Sequence, residues 1–171
     1  MHAETLLTPE ELAVRWHELS ADPDSPDFFE LNEYGELILS PSPTNKHEMI
    51  AFKLASALEQ QLGPQASTAV SVSTRARGVR RPDACWMPQE KWKTTQYADP
   101  LPFAPDICAE VLSRRNTQAE ISMKTAAYLD SGAREVVIVG IRGEVDYFGP
   151  EGKRDASAFG LHINLPPELF P

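Results

Sequence analysis

The stretch from Asp106 to Val139 constrains this chain most. It reads as a short apolar strand, Asp106 to Leu112, then a helix, Asn116 to Ser131, then the continuous apolar run Glu135-Val136-Val137-Ile138-Val139. A strand without polar alternation is one buried on both faces. The preceding strand carries Glu110 between Ala109 and Val111, where an ionised carboxylate is costly unless it is paired or metal-bound. Thr117 and Glu120 form a capping box for the helix, and Gly132 stops it.

The rest of the chain supplies further layers. Thr8-Pro9-Glu10-Glu11 opens a helix expected to reach about Leu19. Residues 21–27 are loop. Phe28 to Leu31 and Glu36 to Leu39 flank a turn at Gly35 and read as a hairpin. Asn45 with Glu48 opens a second helix, which carries Ile50, Leu54 and Leu58 on one face and ends at Gly63-Pro64. Ala69 to Thr74 alternates as a strand, and Val79 to Trp86 reads as another. Lys91 to Pro105 is expected to be a polar connection. Glu144 to Phe148 pairs with the 135–139 run across a turn at Gly143, and Leu161 to Leu165 is a candidate edge strand. The order predicts an α/β domain with a mixed sheet.

The 171 residues fit one domain, 1–171, with a core that needs no disulfide staples. Two cysteines, Cys85 and Cys108, are too few for a disulfide framework and point to a reduced, cytoplasmic setting. No apolar run nears the ~18–20 residues of a membrane span, and the N-terminus has no basic-then-apolar leader. The net charge of −9 counts against non-specific nucleic-acid binding. That average hides Arg75, Arg77, Arg80 and Arg81, which fall within seven residues free of acids. They are either phosphate-contact candidates or a solvated basic strand and loop.

Strand parity puts Asp83 and Cys85 on one face, and Asp106, Cys108 and Glu110 on one face. On neighbouring strands Asp83 and Glu110 would converge. Carboxylate oxygens suit magnesium (Mg2+) or manganese (Mn2+), and two of them leave sites for water and phosphate. Lys124 lies beside the Ile121, Thr125 and Tyr128 stripe of its helix, where its ammonium can reach the sheet; the rival is an i,i+4 pair with Glu120. Asp106, which follows Pro105 at a strand start, is a second-rank candidate with a structural alternative. His47 and Glu30 are also second-rank. A satisfied structural histidine and a solvent-facing glutamate are their alternatives. Ser113 reads as a turn residue, and no Ser-His arrangement suggests a nucleophilic triad.

The sequence resembles the Uma-two family of restriction-endonuclease-like proteins, a branch of the PD-(D/E)XK nuclease superfamily, over roughly residues 5–148. Phe29-Glu30-Leu31, Gly35 to Pro41, Asn45-Lys46-His47, Arg81-Pro82-Asp83, Ala104-Pro105-Asp106 through Ser113, Lys124, Tyr128 and Gly132 carry the likeness. The resemblance implies a restriction-endonuclease-like fold, a mixed central sheet flanked by helices with an N-terminal helix and hairpin. Its core would be about 27–148, with a C-terminal extension over 149–171. It implies Asp83 and Glu110 as metal-binding acids. Leu112 stands where the superfamily often has its lysine, and Lys124 on the next helix matches the migrated one.

The expected activity is metal-dependent hydrolysis of DNA phosphodiesters, by a homodimer if the C-terminal edge strand pairs. The alternatives are a catalytically inactive nuclease fold kept as a binding or assembly module, and an acidic partner protein that co-purifies with another chain.

Overall fold

The computed structural model describes residues 5–171. The reading of the N-terminus as leaderless rests partly on Met1–Glu4, which lie outside the described residues. Among those described, no helix is long and apolar enough to cross a membrane.

Two capping boxes set helix starts where the sequence places them. Thr8 and Glu11 cap α1 (Pro9–Ala21), which runs two residues past the expected end at Leu19. Thr117 and Glu120 cap α4 (Gln118–Asp130). Between them lie the hairpin β1 (Phe29–Leu31) and β2 (Leu37–Leu39), α2 (Asn45–Leu62), β3 (Ala66–Thr68), β4 (Val72–Ser73), β5 (Val79–Arg80), β6 (Ala84–Trp86), α3 (Gln89–Thr95) and β7 (Ile107–Val111). After α4 come β8 (Glu135–Val139), β9 (Val145–Gly149) and β10 (Gly152–Arg154).

The fold is mixed α/β, and its strands form two sheets. One has the order β2-β1-β5-β4, the other β10-β9-β8-β7-β6-β3. The large sheet is mixed because β7 and β8 are parallel, joined by α4, while β6 and β9 run antiparallel to them. One of its faces carries Ala84, Trp86, Ile107, Ala109, Val137 and Val139 and packs on Ile50, Leu54 and Leu58 of α2. Burying each of those three α2 side chains is worth roughly 1.5–3 kcal/mol. The other face carries Cys85, Cys108, Val136 and Ile138 and packs on Tyr128 of α4 and Trp92 of α3.

Four expectations need correction. The single strand expected over Val79 to Trp86 is divided: β5 joins the small sheet and β6 the large one, with Arg81-Pro82-Asp83 between them. Pro82 has no N–H for a ladder, so the run breaks there. The Ala69–Thr74 strand shrinks to Val72–Ser73, and a separate strand, Ala66–Thr68, pairs with β6. The Lys91–Pro105 connection begins inside α3, which buries Trp92 and Thr95. Finally, Leu161 to Leu165 forms no strand. The backbone of His162 bonds instead to the Gln61 side chain, with its N–H donating at 2.8 Å and its carbonyl accepting at 2.9 Å.

The tail is tied down by Glu135, a fully buried acid at the start of β8. Its carboxylate accepts from Arg154 Nη1 at 3.0 Å, Ser157 Oγ at 2.6 Å and the Ala158 N–H at 2.7 Å.

The turn between β4 and β5 depends on Gly78. Its φ is +78°, and a Cβ there would lie 1.9 Å from the Leu31 carbonyl oxygen. Gly78→Ala is therefore expected to cost about 2–3 kcal/mol through backbone strain and the separation of β1 from β5. Urea unfolding monitored by circular dichroism measures it; an unchanged midpoint would refute the close approach.

Candidate active site

The register of the large sheet brings the two first-rank acids together. Ala84 pairs with Ala109 across β6 and β7, so one residue further along Asp83 stands beside Glu110. The ladder is modified at this point. The Asp83 N–H donates to the Ala109 carbonyl at 2.9 Å, and Asp83 Oδ2 accepts the Val111 N–H at 2.7 Å. The carboxylate thus substitutes for a backbone acceptor and is held fixed at the strand end.

Glu110 is 8 % exposed and meets two residues one turn apart on α4. Lys124 Nζ lies 3.1 Å from its Oε1, and the Tyr128 hydroxyl donates to the same oxygen at 2.6 Å. Lys124 also reaches Glu30 Oε1 of β1 at 3.0 Å. The rival pairing with Glu120 is not made, because Glu120 closes the α4 capping box. Glu30 is 5 % exposed. It accepts from Arg80 Nη1 at 3.3 Å and from the Arg81 N–H at 2.8 Å.

Three carboxylates, Glu30, Asp83 and Glu110, therefore face two cations, Lys124 and Arg80. Burial pushes the Glu110 pKa up to about 8; Lys124 opposes this, and Asp83 and Glu30 add to it. Burial alone would lower the Lys124 pKa, but Glu110, Glu30 and Asp83 raise it on balance, so the ammonium keeps its proton. The Tyr128 hydroxyl is pushed well up, first by burial and then by Glu110 and Glu30.

His47, in the first turn of α2, completes the arrangement. Its Nε2 lies 3.3 Å from Asp83 Oδ2, and this contact raises its pKa against the effect of burial. Its Nδ1 is buried without a hydrogen-bond partner. A cleft of about 500 Å³ opens over these groups, lined by Glu30, His47, Asp83, Glu110 and Lys124, with Arg81, Arg114 and Arg115 among the cations facing it. Among the described residues, no group of three or more His, Cys, Asp or Glu side chains gathers as a metal-holding cluster.

Asp83, Glu110, Lys124, Glu30 and His47 thus come together. Other candidates do not. Asp106 sits at the opposite end of β7, paired with Lys91 and lying 3.9 Å from Arg134 Nη1. Three residues of strand, 107–109, separate it from Glu110, and its charge is already matched. Arg80 is 4 % exposed and engaged by Glu30 and the Arg77 carbonyl, so it is no surface phosphate contact. Arg75 and Arg77 lie in the β4–β5 turn, outside the cleft lining. Of the four arginines only Arg81 faces the cleft. Its guanidinium donates to the Ala69 carbonyl and lies 5.6 Å from the centre of the Phe28 ring.

The sequence marks Tyr128 as a core-stripe residue and as part of the family likeness, without a role at the site. Its position four residues after Lys124 was the available signal for a shared partner. Arg114 and Arg115 were passed over although they directly follow Ser113. Ser113 is a turn residue as expected, bonded to Asn116. Cys85 and Cys108 are fully buried core fillers, and burial pushes the Cys85 thiol up to about 12.

Comparison with known proteins places this geometry in a wider setting. Residues 14–167 match the family model described as "Uma2: Putative restriction endonuclease". The chain is also similar to a crystal structure from Anabaena variabilis ATCC 29413 described as a "putative nuclease belonging to DUF820". That match is 18% identical, covers 96% of this chain and 97% of the other, and has a TM-score of 0.65. At that identity the likeness speaks for the fold alone. No curated protein matches the chain.

Proposed function

This chain belongs to the family described as "Uma2: Putative restriction endonuclease", and on that premise we propose that it is a divalent-metal-dependent DNA endonuclease. The observation that carries the reading is the Lys124 ammonium, shared between two buried glutamates beside a strand-end aspartate.

Asp83 and Glu110 are the residues that would hold Mg2+ or Mn2+. The donor set fits a hard cation: two oxygen donors, a local excess of negative charge, and a Glu110 pKa pushed up to about 8 by burial and by its acidic neighbours, which a bound cation would offset. Two carboxylates suffice for an ion that keeps several of its waters. When bound, the ion polarises the phosphoryl oxygen and acidifies its water.

The chain's own groups do the rest. Lys124 stays protonated and orients the attacking water or stabilises charge on the phosphorus oxygens. Tyr128 fixes the Glu110 carboxylate, and His47 and the Val111 N–H fix that of Asp83. Arg81, Arg114 and Arg115 contact backbone phosphates, which positions a strand without specifying its sequence.

The test is nicking of supercoiled plasmid by the purified protein in millimolar magnesium or manganese. Cleavage stopped by chelation is expected. Asp83→Ala should lose both cleavage and calorimetric metal binding; a wild type with neither property would sink the proposal. The net charge of −9 favours a second reading, a binding module that keeps the fold without the chemistry. Binding of DNA without cleavage in any divalent ion would select it. A homodimer, as cutting both strands requires, belongs to the same proposal and is measured by sedimentation. Its expected edge at 161–165 is not formed, which leaves β10 as the C-terminal edge strand.

A further inference from the structure

A second cavity, of about 660 Å³, adjoins the cleft. Phe29, Ala69 and Arg81 line both. Arg81 is the partition: its guanidinium is held on the Ala69 carbonyl at 3.1 Å, so one side of it faces the carboxylate site and the other a different chemistry.

That chemistry is aromatic. Trp16, Trp92 and Tyr97 line the cavity. Tyr97 is 59 % exposed and stacks on Trp92 with centroids 6.2 Å apart and planes 16° from parallel. A ring stacked on one side and open on the other is a platform for a further planar group. Trp16 is 4 % exposed, and its indole N–H has no hydrogen-bond partner. Among the described residues two buried side-chain polar atoms lack partners, this N–H and His47 Nδ1, and one belongs to each cavity. The indole N–H is itself shielded from the cavity, so Trp16 contributes an apolar wall rather than a donor to it. Three described residues other than glycine have positive φ: Ala69, Gln96 and Tyr97. Two of them line this cavity, which fits strain held at a binding site. Asp22, Asp27 and Asp99 also line the cavity and repel phosphate, and one Asp99 oxygen already accepts the Ser71 hydroxyl.

We infer that this cavity receives an unstacked nucleobase of the strand whose phosphodiester lies in the cleft, with Arg81 holding the intervening phosphate. The inference rests on the nuclease reading and adds the substrate class, a strand with at least one base out of the stack. A base supplies what the walls ask for: a flat face for Tyr97, an apolar plane against Trp16, and amino donors for the lining carboxylates. Phosphate is excluded by the same carboxylates, so the charged backbone stays on the Arg81 side.

The experiment measures binding of two short fluorescein-labelled DNA single strands of equal length to the full chain in EDTA. One carries all its bases; the other has central abasic sites. The wild type should bind the base-bearing strand about tenfold more tightly, the usual scale for stacking one base. Tyr97→Ala should bring that ratio to near one without changing abasic-strand binding, and Tyr97→Phe should keep it. Equal binding of both strands by the wild type, a ratio untouched by Tyr97→Ala, or no binding of either strand overturns the inference. Plasmid nicking by the same preparation separates the two claims. Base-dependent binding without nicking refutes the nuclease and keeps the cavity, and nicking with base-independent binding does the reverse.

Discussion

Lys124→Met is expected to lower metal-dependent cleavage by about a hundred- to a thousandfold, the cost of removing one donor aimed at developing charge. Above about pH 8, where Glu110 is ionised, it should also destabilise the fold by about 3 kcal/mol, because two buried carboxylates then lose the cation between them. These effects have different causes and a second substitution separates them. Lys124 Nζ is 3.0 Å from Glu30 and 3.1 Å from Glu110. Adding Glu110→Gln to Lys124→Met removes one stranded charge and keeps an acceptor for the Tyr128 hydroxyl. Stability should largely return while cleavage stays lost. Lys124→Arg should rescue neither fully, because a planar fork cannot occupy the place of a compact ammonium. Urea midpoints and initial nicking rates on the same preparations give the result. A Lys124→Met protein that cleaves at the wild-type rate would remove the lysine from the chemistry.

The second expected result is a stability that falls as pH rises from about 5 to 8 in the metal-free protein. The folded chain holds the Glu110 proton up to about pH 8, while an unfolded glutamate releases it near 4.5. Over that window the native state binds more protons than the unfolded chain, so raising the pH favours unfolding. The contribution is fully present below the unfolded value and lost through the folded one. Its upper limit is roughly 5 kcal/mol. Glu110→Gln should flatten the profile, and millimolar magnesium should raise stability most at the alkaline end, where the carboxylate is ionised. Thermal melts at several pH values measure this. A wild-type profile as flat as that of Glu110→Gln would show that the burial cost is relieved in another way.

How far the site could be read beforehand depended on the reach of each signal. Glu110 and Asp83 followed from strand parity, and Lys124 from its place beside a helical stripe, because both periodicities are local. Glu30 looked like any glutamate in a hairpin. Its burial comes from β5 pairing against β1, Leu31 opposite Val79, a contact about fifty residues away in sequence. His47 needed the same kind of knowledge, since only the docking of α2 on the large sheet brings its ring to Asp83. The arginine cluster looked uniform along the chain, yet Arg80 points into the protein and Arg81 into the cleft, as successive strand residues do. Helix α3 was missed because it is short, has no side-chain cap and ends in two threonines. The edge strand at 161–165 failed for an opposite reason: its apolar residues are indeed packed, but the backbone partner is a glutamine side chain.

The break at Arg81-Pro82-Asp83 gives the site an unusual ownership. Glu30 and Arg80 belong to the small sheet, Glu110 to an interior strand of the large one, Asp83 to the link just before β6, and only three residues of chain join β5 to β6. Lys124 is the clasp between the halves, touching one carboxylate from each. A charge arriving between Asp83 and Glu110 competes for the same ammonium. Filling the site would therefore alter the grip of one sheet on the other, so occupancy and the mechanical coupling of the two sheets are one quantity seen from two sides.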